Sequence, residues 1–354
     1  DQHFPRRELA RKGNSERRLC FVPLGWRQRK TDSMKAIQVE DGQLVWATAE
    51  DPVLGPEDIK ISNRATAINR ADLAQRVGAY PPPPGASKIL GLECAGIVEA
   101  VGEKVTGFKN GDEVCALLAG GGYAEKVVVP AAQVLPIPKG LSFNQAAALP
   151  EVFATAYLNL FIEGALQPGE TALLHAGASG VGTAGIQLCR AFESPVFVTA
   201  GSDEKIERCI ALGASGGANR HTENFVEKVA AWTDGGFDVI LDPVGAAYLD
   251  HNLNSLKADG RLVVIGLMSG AEANLAIGKM MMKRLRVIGS TLRARSVPAK
   301  GALMKQLSER VWPLIESGEI TPIIETVIPI DEAQRAHDLI AGDDTFGKVI
   351  LEMG

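Results

Sequence analysis

Cysteine, histidine, positive charge and long apolar runs are all scarce in this chain of 354 residues, and each scarcity closes off a class of protein. The five cysteines, Cys20, Cys94, Cys115, Cys189 and Cys209, are scattered with no C-x-x-C pair among them, which argues against a disulfide framework and for a reducing, cytoplasmic compartment. The five histidines, His3, His175, His221, His251 and His337, show no metal-ligand spacing. No apolar stretch approaches the roughly 20 residues that a membrane-spanning helix needs, so no membrane is expected. The formal net charge is −5, and its distribution is uneven. Residues 1–33 carry nine Lys or Arg against four Asp or Glu, leaving 28 basic and 38 acidic residues beyond them. A body that acidic repels a phosphate backbone, and no nucleic-acid partner is expected. The basic extension reads as a disordered tail or a gene-model artefact, with Met34 a plausible true start. An organellar transit peptide is the alternative, favoured by the arginines and disfavoured by the acids.

What the chain does have is 46% apolar content and the length for about two domains. Its organising stretch is Glu170 to Ala191, ETALLHAGASGVGTAGIQLCRA. Thr171 to Ala176 is an apolar run suited to a strand covered on both faces of a parallel sheet. Gly177, Gly180 and Gly182 follow, and Val181, Ile186 and Leu188 then begin an amphipathic helix. Such a turn leaves the first helical N–H groups unpaired and aimed at one point, and its small residues let a pyrophosphate approach. The spacing is not G-x-G-x-x-G, so the signal lies in the strand before it and the helix after it. His175, inside the strand, reads as a satisfied structural histidine.

From Met34 to about Pro150, short strand-like runs are separated by turn residues. They include 59–62, 96–101, 112–118 and 124–129, and they read as a small antiparallel barrel. From about Glu151 strands at 171–176, 196–200, 237–242, 261–266 and 285–290 alternate with helices such as Asp203 to Leu212, the pattern of a doubly wound parallel sheet. A helix around Leu303 to Ser317 and a strand at Gly347 to Leu351 return to the first domain.

With NRADL at 69–73, PPPPGAS at 81–87, GLECAG at 91–96, HAGASGVGTAGIQL at 175–188 and GKVIL at 347–351, the chain resembles a medium-chain dehydrogenase/reductase. Within that superfamily it is similar to the NADPH-dependent quinone oxidoreductases, in the branch of the tumour-suppressor-inducible quinone oxidoreductase. The likeness runs from Met34 to the C-terminus. It implies a GroES-like β-barrel catalytic domain over 34–150 and 293–354 and a Rossmann dinucleotide-binding domain over 151–292. Zinc enzymes of the superfamily place cysteine where Asn69 stands and histidine where Leu92 stands; neither replacement can hold zinc, and the structural-zinc cysteines are missing between Asp112 and Pro130 as well. No metal is therefore expected, and Glu93 reads as a buried structural carboxylate. A quinone suits such a site, because the charge delivered by hydride spreads over its ring without a Lewis acid. Enones, alkenals and enoyl thioesters come next. A non-catalytic protein of the same fold, in a crystallin-like or RNA-binding role, is the reading from another class.

The resemblance also implies site residues. NAD enzymes place an acid about twenty residues beyond the glycine turn, and that place is Ala200 here, followed by Gly201, Ser202 and Lys205. With Arg220 these suit a 2′-phosphate, so NADPH is the expected cofactor; a three-residue shift in register would instead bring Asp203 to the ribose and favour NADH. Asn69 faces the nicotinamide end, and Tyr80 lies near the substrate, where it either stacks on a quinone, delivers a proton or merely packs against the prolines. Ser179 contributes a phosphate or ribose contact, Thr155 meets the nicotinamide ribose or carboxamide, and Leu267, Met268, Thr291 and Leu292 wall the nicotinamide. Bulk at Gly180 is expected to occupy the phosphate position. Leu285 to Thr291 is expected to pair across a two-fold axis, giving a homodimer.

Overall fold

The KAIQVEDGQLVW segment forms a hairpin: Ser33–Glu40 pairs antiparallel with Gln43–Glu50. Asp41 and Gly42 turn it with φ of 48° and 77°, the two positive values that suit the twist of a two-residue hairpin loop. This is a computed structural model, and it describes residues 33–354. The basic extension expected over 1–33 lies, Ser33 apart, outside the described residues.

Beyond the hairpin come two sheets. In the first, Asp58–Ala67 is the hub, pairing antiparallel with Glu93–Val101, Lys126–Pro130 and Lys348–Glu352. Glu113–Leu117 and Val134–Pro136 continue one side, and Ile324–Pro329 joins the other by running parallel to Lys348–Glu352. The last strand thus returns to the first sheet, as the sequence pattern predicts. In the second sheet six parallel strands lie in the order Gly216–Asn219, Val196–Ala200, Ala172–Leu174, Phe237–Asp242, Leu256–Val264 and Arg286–Gly289. Strand order reverses beside Ala172–Leu174, which puts the glycine turn at the switch point where such sheets bind ligands.

One core is continuous between the sheets. Ala146, Leu149, Val152 and Phe153 pack with Ala65, Ala95 and Leu117 of the first and with Leu174, Val198 and Leu241 of the second. Two expectations need correction. The helix around 303–317 is two helices, Val297–Arg310 and Trp312–Glu316, because Pro313 cannot donate the hydrogen bond that would carry one into the other. The strand Gly216–Asn219 is additional to those expected. No helix among the described residues is long and apolar enough to cross a membrane.

Candidate active site

The glycine turn is held by backbone packing. Ser179 caps Gly180–Ala191, its Oγ accepting from Gly182 N at 3.0 Å. A Cβ at Gly182 would lie 2.4 Å from the carbonyl oxygen of Gly177, and one at Gly177 would lie 2.6 Å from Cβ of Val198. At Gly180 it would meet Cδ of Lys348 at 2.6 Å and Cγ1 of Val152 at 2.9 Å. The side-chain direction at Gly180 is therefore into the protein, which corrects the expectation that bulk there fills the phosphate position. Ala176 takes the left-handed conformation, φ 56°, a cost that a side chain accepts only where the surroundings fix it. Beneath the turn His175 is buried, with Nδ1 3.0 Å from Thr199 Oγ1 and Nε2 2.7 Å from Asn252 Oδ1. Burial lowers it to about 4, so it is neutral and structural.

At the end of Val196–Ala200 the chain gathers Gly201, Ser202, Lys205 and Arg220 around one cavity of about 210 Å³, lined also by His221, Gly342, Asp343 and Asp344. Ser202 caps Asp203–Leu212 by accepting from Lys205 N. That cap places the lysine one turn into the helix, at the cavity wall. Asp203 turns away: its Oδ1 accepts from Asn219 Nδ2 at 2.8 Å.

The other end of the cleft is a buried polar cluster. Asn69 Nδ2 donates to Glu93 Oε1 at 2.9 Å, and Asn69 Oδ1 accepts from Lys348 Nζ at 2.8 Å. Lys348 Nζ also lies 2.8 Å from Glu93 Oε1 and donates to Ile68 O at 2.6 Å. Its three donors are thus all used. The remaining oxygen of Glu93 accepts from Glu151 N at 2.9 Å, at the start of the helix Pro150–Tyr157, where a carboxylate is favoured by the helix dipole. Glu93 is fully buried, the structural role expected of it. The loop carrying Asn69 is held from below. Asp72 accepts from Asn69 N at 2.8 Å, Gly91 N at 3.1 Å and Tyr123 OH at 3.2 Å. Burial pushes the Asp72 carboxyl up to about 6 against those bonds.

Four residues that sequence reasoning misses stand here: Glu151, Arg293, Lys300 and Lys348. Burial, reinforced by the charge of Glu93, pushes the Glu151 carboxyl up to about 8, although Lys348 and Lys300 oppose the shift. It is a neutral acid at pH 7. Arg293, buried, donates to Ala119 O, Tyr80 O and Gln75 Oε1 at 2.8, 3.3 and 2.6 Å, and its guanidinium lies 5.3 Å from the centroid of the Tyr80 ring. Lys300 Nζ reaches Arg293 O at 3.3 Å. Of these, only Lys348 stands in a segment with a sequence signal, GKVIL. Thr155 Oγ1 lies 3.5 Å from Glu151 Oε1. Leu267, Met268 and Thr291 are exposed, whereas Leu292 is buried in the main core. Leu92 is buried too, and among the described residues no three His, Cys, Asp or Glu side chains are grouped to hold a metal ion.

Residues 55–139 match the family described as alcohol dehydrogenase GroES-like domain, and residues 180–308 match the zinc-binding dehydrogenase family. The quinone oxidoreductase of Mus musculus is 33% identical over 305 residues, covering 85% of this chain and 90% of that protein. The Homo sapiens protein named synaptic vesicle membrane protein VAT-1 homolog is 33% identical over 320 residues, covering 86% and 81%. Among solved structures, Escherichia coli quinone oxidoreductase complexed with NADPH superposes with a TM-score of 0.80 at 28% identity, covering 91% of this chain and 100% of that one. A structure described as an NAD-dependent alcohol dehydrogenase gives 0.79 at 31% identity, covering 91% and 100%. The two sheets are accordingly a GroES-like domain and a Rossmann nucleotide-binding domain.

Proposed function

We propose, from the premise that this chain belongs to the zinc-independent quinone oxidoreductase family of the medium-chain dehydrogenases/reductases, that it reduces quinones with NADPH. The observation that carries the cofactor choice is the cavity where Lys205 and Arg220 meet Gly201 and Ser202 while Asp203 is engaged by Asn219. Two cations there suit a 2′-phosphate, and no carboxylate from that helix reaches for a ribose hydroxyl. At the N-terminus of the helix Gly180–Ala191, Ser179 N donates to Ala176 O and Gly182 N to Ser179 Oγ, which leaves the N–H groups of Gly180 and Val181 to meet the pyrophosphate. Asn69, held by Glu93 and Lys348, orients the nicotinamide end, with Thr155, Leu267, Met268 and Thr291 completing its wall and Leu292 packed behind them in the core.

When bound, the cofactor supplies a hydride from its nicotinamide ring. Position is the protein's main contribution to such a transfer, because a quinone stabilises the added charge itself. The reduced product still needs one proton, and Glu151, whose pKa is pushed up to about 8, whose Oε1 lies 3.5 Å from Thr155 Oγ1 and whose charge acts on Tyr80, is the acid at the cleft suited to supply it. The cleft offers an asparagine and a leucine in place of thiolate and imidazole, and its carboxylate, Glu93, is held by Lys348, so metal analysis of the purified enzyme is expected to show no stoichiometric zinc. A panel of ortho- and para-quinones, an alkenal and a crotonyl thioester, followed by loss of NADPH absorbance, tests the substrate. Turnover confined to the alkenal or thioester would move the assignment to a conjugated-bond reductase, which the acid at Glu151 also suits. Retained NADPH binding without any turnover would leave a non-catalytic role.

The parallel sheet ends on Arg286–Gly289, bonded on one side only, with Val287 exposed at 39%. Such an edge invites a strand, and the reading includes a homodimer built there. A monomer in sedimentation at micromolar concentration would remove it.

A further inference from the structure

The cavity that carries the NADPH reading contains its own anion. Asp343, in the loop between the helix Ala333–Ala341 and the last strand, places Oδ2 2.7 Å from Arg220 Nη2 and Oδ1 3.7 Å from Arg70 Nη2. Its backbone carbonyl accepts from the ammonium of Lys205. A Cβ built on Gly201 would lie 3.4 Å from Arg220 Nη2 and 3.6 Å from Asp343 Oδ2, so the pair sits directly over that glycine. Among the described residues lining this cavity, Arg220 is thus engaged by the Asp343 carboxylate and Lys205 by the Asp343 backbone carbonyl. Asp344 lines the same cavity and adds a second negative charge. Asp343 and Asp344 offset much of the charge of Lys205, Arg220 and the neighbouring Arg70, so a phosphate of roughly −1.5 to −2 is attracted less strongly while both acids remain. The Arg220 hydrogen bond and the charges of Arg220, Lys205 and Arg70 hold the Asp343 carboxyl below its usual range, although its burial opposes them.

We infer that Asp343 is a specificity-determining residue: its carboxylate competes with the 2′-phosphate for Arg220, and it must swing out for NADPH to be preferred over NADH. The inference rests on the NADPH reading and sharpens it, because the strength of the preference is then set by a loop acid as much as by the two cations. The side chain has solvent to swing into. Asp343 has φ of 59°, a conformation that Asp, Asn and Gly accept, and its side chain is 42% exposed. Asp343→Asn therefore keeps the backbone and removes the charge, and Asp343→Gly removes the hydrogen bond as well.

Isothermal titration with 2′,5′-ADP and with 5′-AMP reads the site without any catalysis. Asp343→Asn and Asp343→Gly are expected to bind 2′,5′-ADP roughly 3- to 10-fold more tightly than the parent, with 5′-AMP unchanged within about twofold. Arg220→Ala is the companion variant, expected to weaken 2′,5′-ADP alone. If neither Asp343 variant tightens 2′,5′-ADP while Arg220→Ala weakens it, the competitor role is wrong and the NADPH reading stands. Equal tightening of both ligands would also overturn it, by showing a general opening of the cavity. Should Arg220→Ala leave 2′,5′-ADP no weaker and the parent bind both ligands alike, both readings fall.

Discussion

Lys348 is paired with a buried carboxylate and Lys205 is bonded to a loop carbonyl, and their surroundings make them opposite kinds of device. Lys348 is 3% exposed, and its three hydrogens are fixed on Glu93, Asn69 and Ile68. Lys205 stands half-buried at the rim of an open cavity and reaches a loop carbonyl. A charge pair taken out of water cannot lose one member without stranding the other, whereas a pair at the rim exchanges partners with solvent or ligand at little cost. The Asn69 end of the cleft is thus locked and the Lys205 end is exchangeable, which on the proposed function would give positioning at one end and discrimination at the other.

The comparison breaks most clearly at Lys348. Lys348→Met leaves Glu93 buried and unpaired, and urea unfolding is expected to show a loss of about 3–5 kcal/mol. A loss under about 1 kcal/mol would mean that the cluster is wetter than its geometry implies. Arg220→Ala, at the other end, is expected to weaken NADPH by about 10-fold in fluorescence titration while unfolding stays within about 0.5 kcal/mol of the parent. A large stability loss there would erase the distinction between the ends. Glu151 gives a pH signature. The folded chain keeps its proton up to about pH 8, whereas an ordinary glutamate with a value of 4.5 releases it, so this group makes stability fall as pH rises between those values. Glu151→Gln is expected to flatten that slope in thermal unfolding and to remove the decline of turnover above about pH 8. The smallest effect is expected at Tyr80. Tyr80→Phe should slow quinone turnover only a few-fold, well under the roughly 100-fold typical of losing a positioned proton donor. A collapse with NADPH binding intact would make the hydroxyl the acid.

The nucleotide-binding half is the more legible in sequence, because its signals are local. Asp203–Leu212 falls where its helical pattern places it, and Val196–Ala200 and Phe237–Asp242 are continuous apolar runs. Gly216–Asn219 escapes notice because Gly-Gly-Ala-Asn has no strand preference of its own; only its pairing with Val196–Ala200 makes it one. Lys205 and Arg220 lie near the helix and strand ends that place them. Lys348 is 255 positions from Glu93, and Asp343 is 123 from Arg220, so no window of sequence contains either pair. Gly180 shows a different failure: its glycine is legible and its reason is not, because the neighbour it makes room for is Lys348.

The lock on Asn69 has a bearing on biogenesis. Residues 68, 69 and 93 are translated long before residue 348, and until that lysine arrives Glu93 must wait in an unfinished domain without its counter-ion. Nascent chains stalled short of residue 348 should consequently expose this region to proteases, and competence should switch on abruptly once the final strand docks beside Asp58–Ala67.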